Sequence, residues 1–236
     1  FRSPWRAAEI AARRDRGATL AEGAAIAVRA SGCSLVVVAV SRREHALGES
    51  LRAALEARGI SASIAPVGNR YPQHNGRELE LSLREYGRKE GLDLGTLISL
   101  SPSTIAAVYD AVALNKPILE RYVAVGGSAL KRPAVLRVRI GTRIGDVFAE
   151  CGGFVEEPKR IAVGSPLKGR EVVDLDEPIT KTSYAVFALS ESTINGGRSA
   201  DCINCGECRE VCPVSLDPER LFKLARSDKD TAAQAE

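Results

Sequence analysis

The sequence predicts an α/β protein in which strands and helices alternate first, a smaller sheet follows, and a cysteine-rich segment comes last. A continuous apolar run at residues 35–40, set between helical patterns, is typical of a strand buried on both faces. In the run 135–140, Val138 and Ile140 alternate with Arg137 and Arg139, which indicates a strand with one exposed face. Four cysteines between residues 202 and 212 indicate a ligand loop.

The first part is predicted to be a three-layer α/β unit. Ser3 and Pro4 are typical of a helix start, Gly17 is expected to interrupt that helix, and a second helix is expected at 20–30. Strands that alternate with helices pair in parallel, so a parallel sheet is expected. Its strands are predicted at residues 35–40, 61–65 and 96–100.

The second part is predicted to be a small sheet carrying one helix, a β-grasp-like unit. Two of its strands form a hairpin whose loop contains Lys131 and Arg132, and Thr142 is expected to cap the helix. Strands are predicted at 121–125, 135–140, 160–163 and 184–189. A linker at 190–199 follows, and Asp217 with Pro218 is expected to start a last helix.

The cysteine run reads C-x2-C-x2-C-x3-C-P, the spacing with which bacterial ferredoxins hold a [4Fe–4S] cluster. Its predicted ligands are Cys202, Cys205, Cys208 and Cys212, and Gly206 gives the loop room to approach the inorganic sulfides. A structural zinc site normally uses two separated C-x2-C pairs, and a disulfide framework suits small secreted domains. The spacing therefore favours an iron–sulfur cluster over both.

Cys212 leaves a question open. In two-cluster ferredoxins the fourth cysteine of such a run ligates the other cluster, and no second run follows here. Three explanations compete: a longer subunit with its second run beyond Glu236, a unit reduced to one cluster, or a cluster completed by a partner. The chain begins at Phe1 and lacks methionine, which favours a processed chain or a fragment.

Other candidate residues are expected to be structural or solvated. Cys151 is predicted to be a small buried residue, and His74 is expected in a solvated turn. The stretch 99–102, at a predicted strand end before a helix, is a possible anion site of low specificity. With 33 basic and 30 acidic residues interspersed, the charge gives no case for nucleic acid. No apolar run approaches the roughly 20 residues that cross a bilayer, and reduced thiols favour the cytoplasm.

Short strings along the chain add a family resemblance. In order they are YPQ at 71–73, KPI at 116–118, VAVGG at 123–127, RVRIGT at 137–142, CGG at 151–153, PITK at 178–181 and the cysteine run. Together they resemble the C subunit of the Rnf electron-transport complex. The order is similar, more distantly, to the flavoprotein subunit of respiratory complex I and to the cobalamin reductase of propanediol-using bacteria.

The resemblance implies a flavodoxin-like three-layer domain, a soluble-ligand-binding (SLBB-like) β-grasp domain, a linker and a small α-helical ferredoxin-like segment. Their predicted bounds are 1–118, 119–190, 191–199 and 200–236. The family binds FMN and NADH, but the Gly-rich segment that shapes their pocket is missing from this sequence. Neither ligand is therefore expected to be bound by this chain alone.

The function implied is electron transfer through a [4Fe–4S] cluster in a membrane-associated Rnf-type NADH:ferredoxin oxidoreductase. The chain is expected to be a subunit rather than a complete enzyme, cytoplasmic and attached to the inner membrane through partner subunits. A redox partner protein is also expected. The alternatives are a cobalamin reductase-like electron-transfer protein, or a ligand-binding or scaffold module whose cysteines are vestigial or hold zinc.

Overall fold

The computed structural model describes residues 7–41, 44–68, 76–166, 169–195, 202–212 and 216–227. The chain divides into two compact units, Phe1–Ile194 and Asn195–Glu236. Both sheets, five of the described helices and most of a sixth belong to the first unit, and the four clustered cysteines belong to the second.

In the first unit helices and strands alternate at first, and strands then predominate. The helices of the whole described chain are α1 (Ala7–Ser31), α2 (His45–Glu56), α3 (Gly76–Glu90), α4 (Pro102–Ala113), α5 (Ile144–Glu150), α6 (Glu191–Asn195), α7 (Glu207–Glu210) and α8 (Pro218–Ser227). The strands are β1 (Val36–Ser41), β2 (Ala62–Val67), β3 (Glu120–Gly126), β4 (Ala134–Arg139), β5 (Arg160–Val163), β6 (Arg170–Val172) and β7 (Ala185–Leu189).

Helix α1 is continuous, so the predicted break at Gly17 is wrong. One glycine costs a helix only about 1 kcal/mol relative to alanine, and packing against other elements offsets that cost. The helix packs closely along α4, because a Cβ at Gly23 would lie 2.3 Å from the carbonyl oxygen of Ile105. Arg16 also pairs with Asp110 of α4 at 2.5 Å.

Strands β1 and β2 pair in parallel, with Val36 opposite Ala62. Buried Leu55 of α2 packs in the same hydrophobic cluster as β1 and β2. The predicted third strand at 96–100 is wrong: these residues form no strand, and Ile98 is 60% exposed. Within the described residues the parallel sheet therefore has two strands, not the three expected of a three-layer unit.

The second sheet has the order β4-β3-β7-β5-β6. Strands β3 and β4 form the predicted antiparallel hairpin, and β7 lies parallel to β3 and antiparallel to β5. Helix α5 buries Ile144, Val147 and Phe148 in the core of this sheet unit. The helix starts after Arg143 without a side-chain cap, so the capping role expected of Thr142 is wrong.

Strands predicted at 160–163 and 184–189 are confirmed as β5 and β7, whereas β6 was not predicted. The short helix α6 lies within the predicted linker. Ser190, which precedes it, is fully buried, and its amide donates to Ser128 Oγ at 2.9 Å. The mixed α/β class expected from the sequence is thus confirmed.

Candidate metal centre

The four predicted ligands lie in one short stretch, which we call the cysteine loop (residues 202–212). Cys202 and Cys205 precede α7, Cys208 lies within it, and Cys212 follows it. The first three are exposed and Cys212 is partly buried. The loop therefore presents its thiols at the surface of the second unit.

Two residues between these cysteines adopt left-handed backbone conformations. Asn204 has φ of 55° and Gly206 has φ of 77°. Glycine adopts this conformation without steric cost, and asparagine tolerates it better than most residues. The Gly206 carbonyl then accepts the amides of Arg209 and Glu210 at 3.0 and 3.2 Å, which closes the turn into α7.

Backbone amides donate to two of the sulfurs. The Asn204 amide lies 3.5 Å from Cys202 Sγ, and the Leu216 amide lies 3.3 Å from Cys212 Sγ. Hydrogen bonds to a charged form stabilise that form, and those to ligand sulfurs also help to set the reduction potential of a cluster. The backbone thus places a hydrogen-bond donor at the first and at the last sulfur of the loop.

Helix α8 contributes a cation beside the loop. Its first turn is capped by Asp217, whose Oδ1 accepts the Arg220 amide at 3.1 Å. One turn further on, Lys223 Nζ donates to Asn204 Oδ1 at 3.0 Å and also to the Glu219 carboxylate. The hydrogen bond to Glu219 chiefly raises the pKa of Lys223, and the nearby Cys202 sulfur adds to the rise.

The donor set fits an iron–sulfur cluster by its chemistry. Four thiolates, one on each of four irons, are the usual ligands of a [4Fe–4S] cluster. Within the described ranges, no three His, Cys, Asp or Glu side chains are gathered as a single metal ion would require. The fit to a cluster therefore rests on the four thiols and their spacing along the chain.

The other two cysteines differ from the loop. Cys151 caps the C-terminus of α5, is 2% exposed and belongs to the sheet core, as expected. Burial raises the pKa of its thiol, which lowers its reactivity. Cys33 lies just before β1 and is partly buried. His74 falls outside the described residues.

The position suggested for an anion, at the start of α4, is filled by the protein itself. Ser101 caps α4, and the amide of Ser103 donates to Glu9 Oε2 at 3.0 Å. The Ser103 hydroxyl donates to the other carboxylate oxygen at 2.5 Å. A carboxylate at a helix N-terminus is stabilised by the backbone amides there, so Glu9 acts as the internal anion.

The basic hairpin loop is fastened to the end of α5. The Lys131 amide donates to the Gly153 carbonyl at 3.1 Å, and Arg132 Nη2 lies 3.4 Å from the carbonyl of Glu150. Cations near a helix C-terminus interact favourably with its free carbonyls. Arg132 therefore has a structural role, with its side chain at the surface.

Sequence reasoning missed the contributions of Asn204, Lys223 and Glu9. The position of Asn204 inside a C-x2-C step was a usable signal, because asparagine is enriched in left-handed turns. The contacts of Lys223 and Glu9 join residues 19 and 94 positions apart, and no local pattern indicates them.

Comparison with known proteins places this geometry in context. A protein-family model for the SLBB domain matches residues 122–174, which include most of β3 and all of β4, α5, β5 and β6. The C subunit of the ion-translocating oxidoreductase complex of Rhodobacter capsulatus is 32% identical over 94% of this chain and 43% of its own length. The C subunit of the proton-translocating ferredoxin:NAD(+) oxidoreductase complex of Clostridium ljungdahlii is 35% identical over 80% of this chain and 41% of its own length.

A similar relative in Pseudomonas aeruginosa, also the C subunit of an ion-translocating oxidoreductase complex, is 32% identical over 96% of this chain and 29% of its own length. The resemblance indicated by the short sequence strings is thus confirmed. The chain spans less than half the length of these relatives. Among the described helices, none combines the length and the apolar character that a membrane crossing requires.

Proposed function

Because 94% of the chain is similar to the C subunit of an ion-translocating oxidoreductase complex, we propose that it is an electron-transfer part of such a subunit. It relays electrons through a [4Fe–4S] cluster held by Cys202, Cys205, Cys208 and Cys212. The observation that carries the proposal is the spacing of these cysteines in an exposed loop with amide donors at two sulfurs.

The residues of the cysteine loop have different roles in this proposal. The thiolates bind the cluster, and when bound it supplies one-electron transfer. The left-handed Asn204 and Gly206 turn the backbone between the ligands, and the amides of Asn204 and Leu216 stabilise negative charge on sulfur. Because three of the four cysteines are exposed, a redox partner can approach the cluster closely.

Cys212 has two candidate roles in this proposal, as a ligand of the same cluster or of a second one. It is the least exposed of the four, and the Leu216 amide donates to its sulfur. A Cys212→Ser variant separates them: loss of the cluster assigns Cys212 to it, and a retained cluster assigns Cys212 elsewhere. Iron content and the EPR signal of the reduced protein are the measurements.

The proposal extends to organisation and partners. It divides the chain into an α/β domain at 1–118, an SLBB-like β-grasp domain at 119–190, a linker at 191–199 and an iron–sulfur segment at 200–236. The partners are other subunits of a membrane complex of the Rnf type, which hold this part at the cytoplasmic side of the inner membrane. FMN and NADH are ligands of the family that this chain does not bind alone.

The test is anaerobic reconstitution of the chain with iron and sulfide, followed by metal analysis and EPR after dithionite reduction. About four irons per chain and a reduced-cluster signal are expected. Cys205→Ser should abolish both, whereas Cys33→Ser, a matched change outside the loop, should leave both intact. Stoichiometric zinc, or no metal after reconstitution, would overturn the proposal and favour a binding or scaffold role for the SLBB domain.

A further inference from the structure

A side chain from outside the cysteine loop donates a hydrogen bond to it. Lys223 of α8 donates from Nζ to Oδ1 of Asn204 at 3.0 Å. Asn204 stands between Cys202 and Cys205, and its own amide donates to Cys202 Sγ at 3.5 Å. A chain of two hydrogen bonds therefore joins an ammonium group to the first predicted ligand sulfur.

Lys223 also forms an ion pair that can be varied separately. Its ammonium contacts the Glu219 carboxylate one turn earlier on α8, and the side chain of Lys223 is 57% exposed. The pKa of Lys223 is raised chiefly by the hydrogen bond to Glu219, with a further contribution from the Cys202 sulfur. Through Asn204 the ammonium lies two hydrogen bonds from the Cys202 sulfur, so its charge acts on the cysteine loop at short range.

We propose that Lys223 is a positioning residue that holds Asn204 in the cysteine loop and, through its charge, sets the reduction potential of the cluster bound at Cys202. This inference rests on the proposed function, since it requires that cluster. Lys223 lies outside the cysteine run, so the spacing of the cysteines does not indicate it.

The sign of the effect follows from the charge balance. Reduction adds one electron to the cluster, with no bond or proton exchanged, and the chemical reductant supplies that electron. A nearby positive charge stabilises the more negative state, so Lys223 raises the potential, and Glu219 lowers it. Because the ion pair is exposed, added salt should weaken both effects.

A substitution at Asn204 tests the positioning role of Lys223 separately from the effect of its charge. Asn204→Gly keeps a residue that adopts positive φ at no cost but removes the Oδ1 that Lys223 contacts. The potential of this variant should move in the same direction as that of Lys223→Gln, by a smaller shift, because the ammonium remains near Glu219.

The experiment is an EPR-monitored redox titration of the full reconstituted chain at low and high salt. Lys223→Gln should shift the midpoint potential to a more negative value, Lys223→Arg should stay near the wild type, and Glu219→Gln should shift it upward. Lys89→Gln is the matched control, because Lys89 donates to Glu85 at 2.6 Å with the same i,i+4 spacing in the first unit. It should leave the potential unchanged.

Each outcome decides the matter. Equal potentials in the wild type and Lys223→Gln, or shifts of the same sign in Lys223→Gln and Glu219→Gln, would overturn the inference while the cluster itself remains established. If Lys223→Gln loses its cluster, the direction of the Glu219→Gln shift decides instead. A wild-type chain with no cluster would defeat both this inference and the proposed function, and iron content shows that first.

Discussion

The β-grasp sheet and the cysteine segment (the described residues 202–212 and 216–227) are built in opposite ways. The sheet unit buries a contiguous apolar core that includes Phe148, Ile144 and Ile179. Of residues 202–212 and 216–225 in the cysteine segment none is buried, and Ile203 and Val211 are 85% and 77% exposed. One region is stabilised by its own side chains, and the other has little apolar burial to stabilise it.

This difference indicates what holds each region. Burial of apolar surface contributes roughly 25 cal/mol per Å², so the sheet can fold on its own side chains. A short segment without such a core usually needs a metal centre or disulfides, and metal binding then supplies its folding free energy. Under the proposed function, the cluster is the core of the cysteine segment.

The largest expected effect is that of cluster removal. Chelation of iron from the reconstituted chain should abolish the slow amide exchange of residues 202–227, while the exchange of residues 122–189 stays unchanged. Hydrogen–deuterium exchange with mass spectrometry measures both regions at once. Equal protection of the cysteine segment with and without iron would contradict the contrast between the two regions.

Thiol reactivity should also differ between the cysteine segment and the sheet unit. In the chelated chain, iodoacetamide should modify Cys202, Cys205 and Cys208 readily, because they are exposed. Cys151 should stay unmodified until the sheet unfolds, because burial raises the pKa of its thiol and blocks access. Peptide mass spectrometry gives the extent of labelling at each site. Rapid labelling of Cys151 in the folded chain would contradict its place in the core.

The two regions each offer a phenylalanine for comparison. Phe148 is 2% exposed and Phe222 is 54% exposed. Phe148→Ala should lower the free energy of unfolding by about 3 to 5 kcal/mol, because it leaves a cavity in the sheet core. Phe222→Ala should change it by less than about 0.5 kcal/mol. Urea denaturation of the reconstituted chain is the measurement; similar losses in both variants would refute the contrast.

A smaller effect is expected where polar groups are buried at the end of the sheet. Ser128 Oγ accepts the amide of buried Ser190 at 2.9 Å and the Thr193 hydroxyl at 2.6 Å. Ser128→Ala leaves that amide unpaired and should cost about 1 to 3 kcal/mol. Ser192→Ala removes an exposed hydroxyl from the same cluster of hydroxyl side chains, and it should cost less than about 0.5 kcal/mol. Urea denaturation distinguishes the two variants.

Periodicity predicted the elements whose burial is regular. The apolar run of β1 and the hairpin of β3 and β4 were found because their side chains alternate or are continuously apolar. The run at 96–100 is also mainly apolar, yet no strand pairs with it and Ile98 is exposed. Strand β6 was missed because only Val172 of its three residues is buried. Pairing partners, which local sequence does not specify, decided both cases.

The candidate ligands were predictable and their surroundings were not. Thiolate spacing along the chain is a local property, so Cys202 to Cys212 could be proposed from sequence. The contact of Lys223 with Asn204 depends on where α8 begins and how the chain returns to the loop. Glu9 at the start of α4 depends likewise on how two helices pack. Such contacts follow from tertiary structure.

The position of β7 also orders events during synthesis. It is the last strand of its sheet to be made, yet it lies at the centre, between β3 and β5. Until the ribosome has released residues 185–189, the β3–β4 and β5–β6 hairpins form two separate pieces, each with an open edge where β7 belongs. During that interval the unpaired strand edges can pair with other strands or bind chaperones. The cysteine loop leaves the ribosome only after that gap can close.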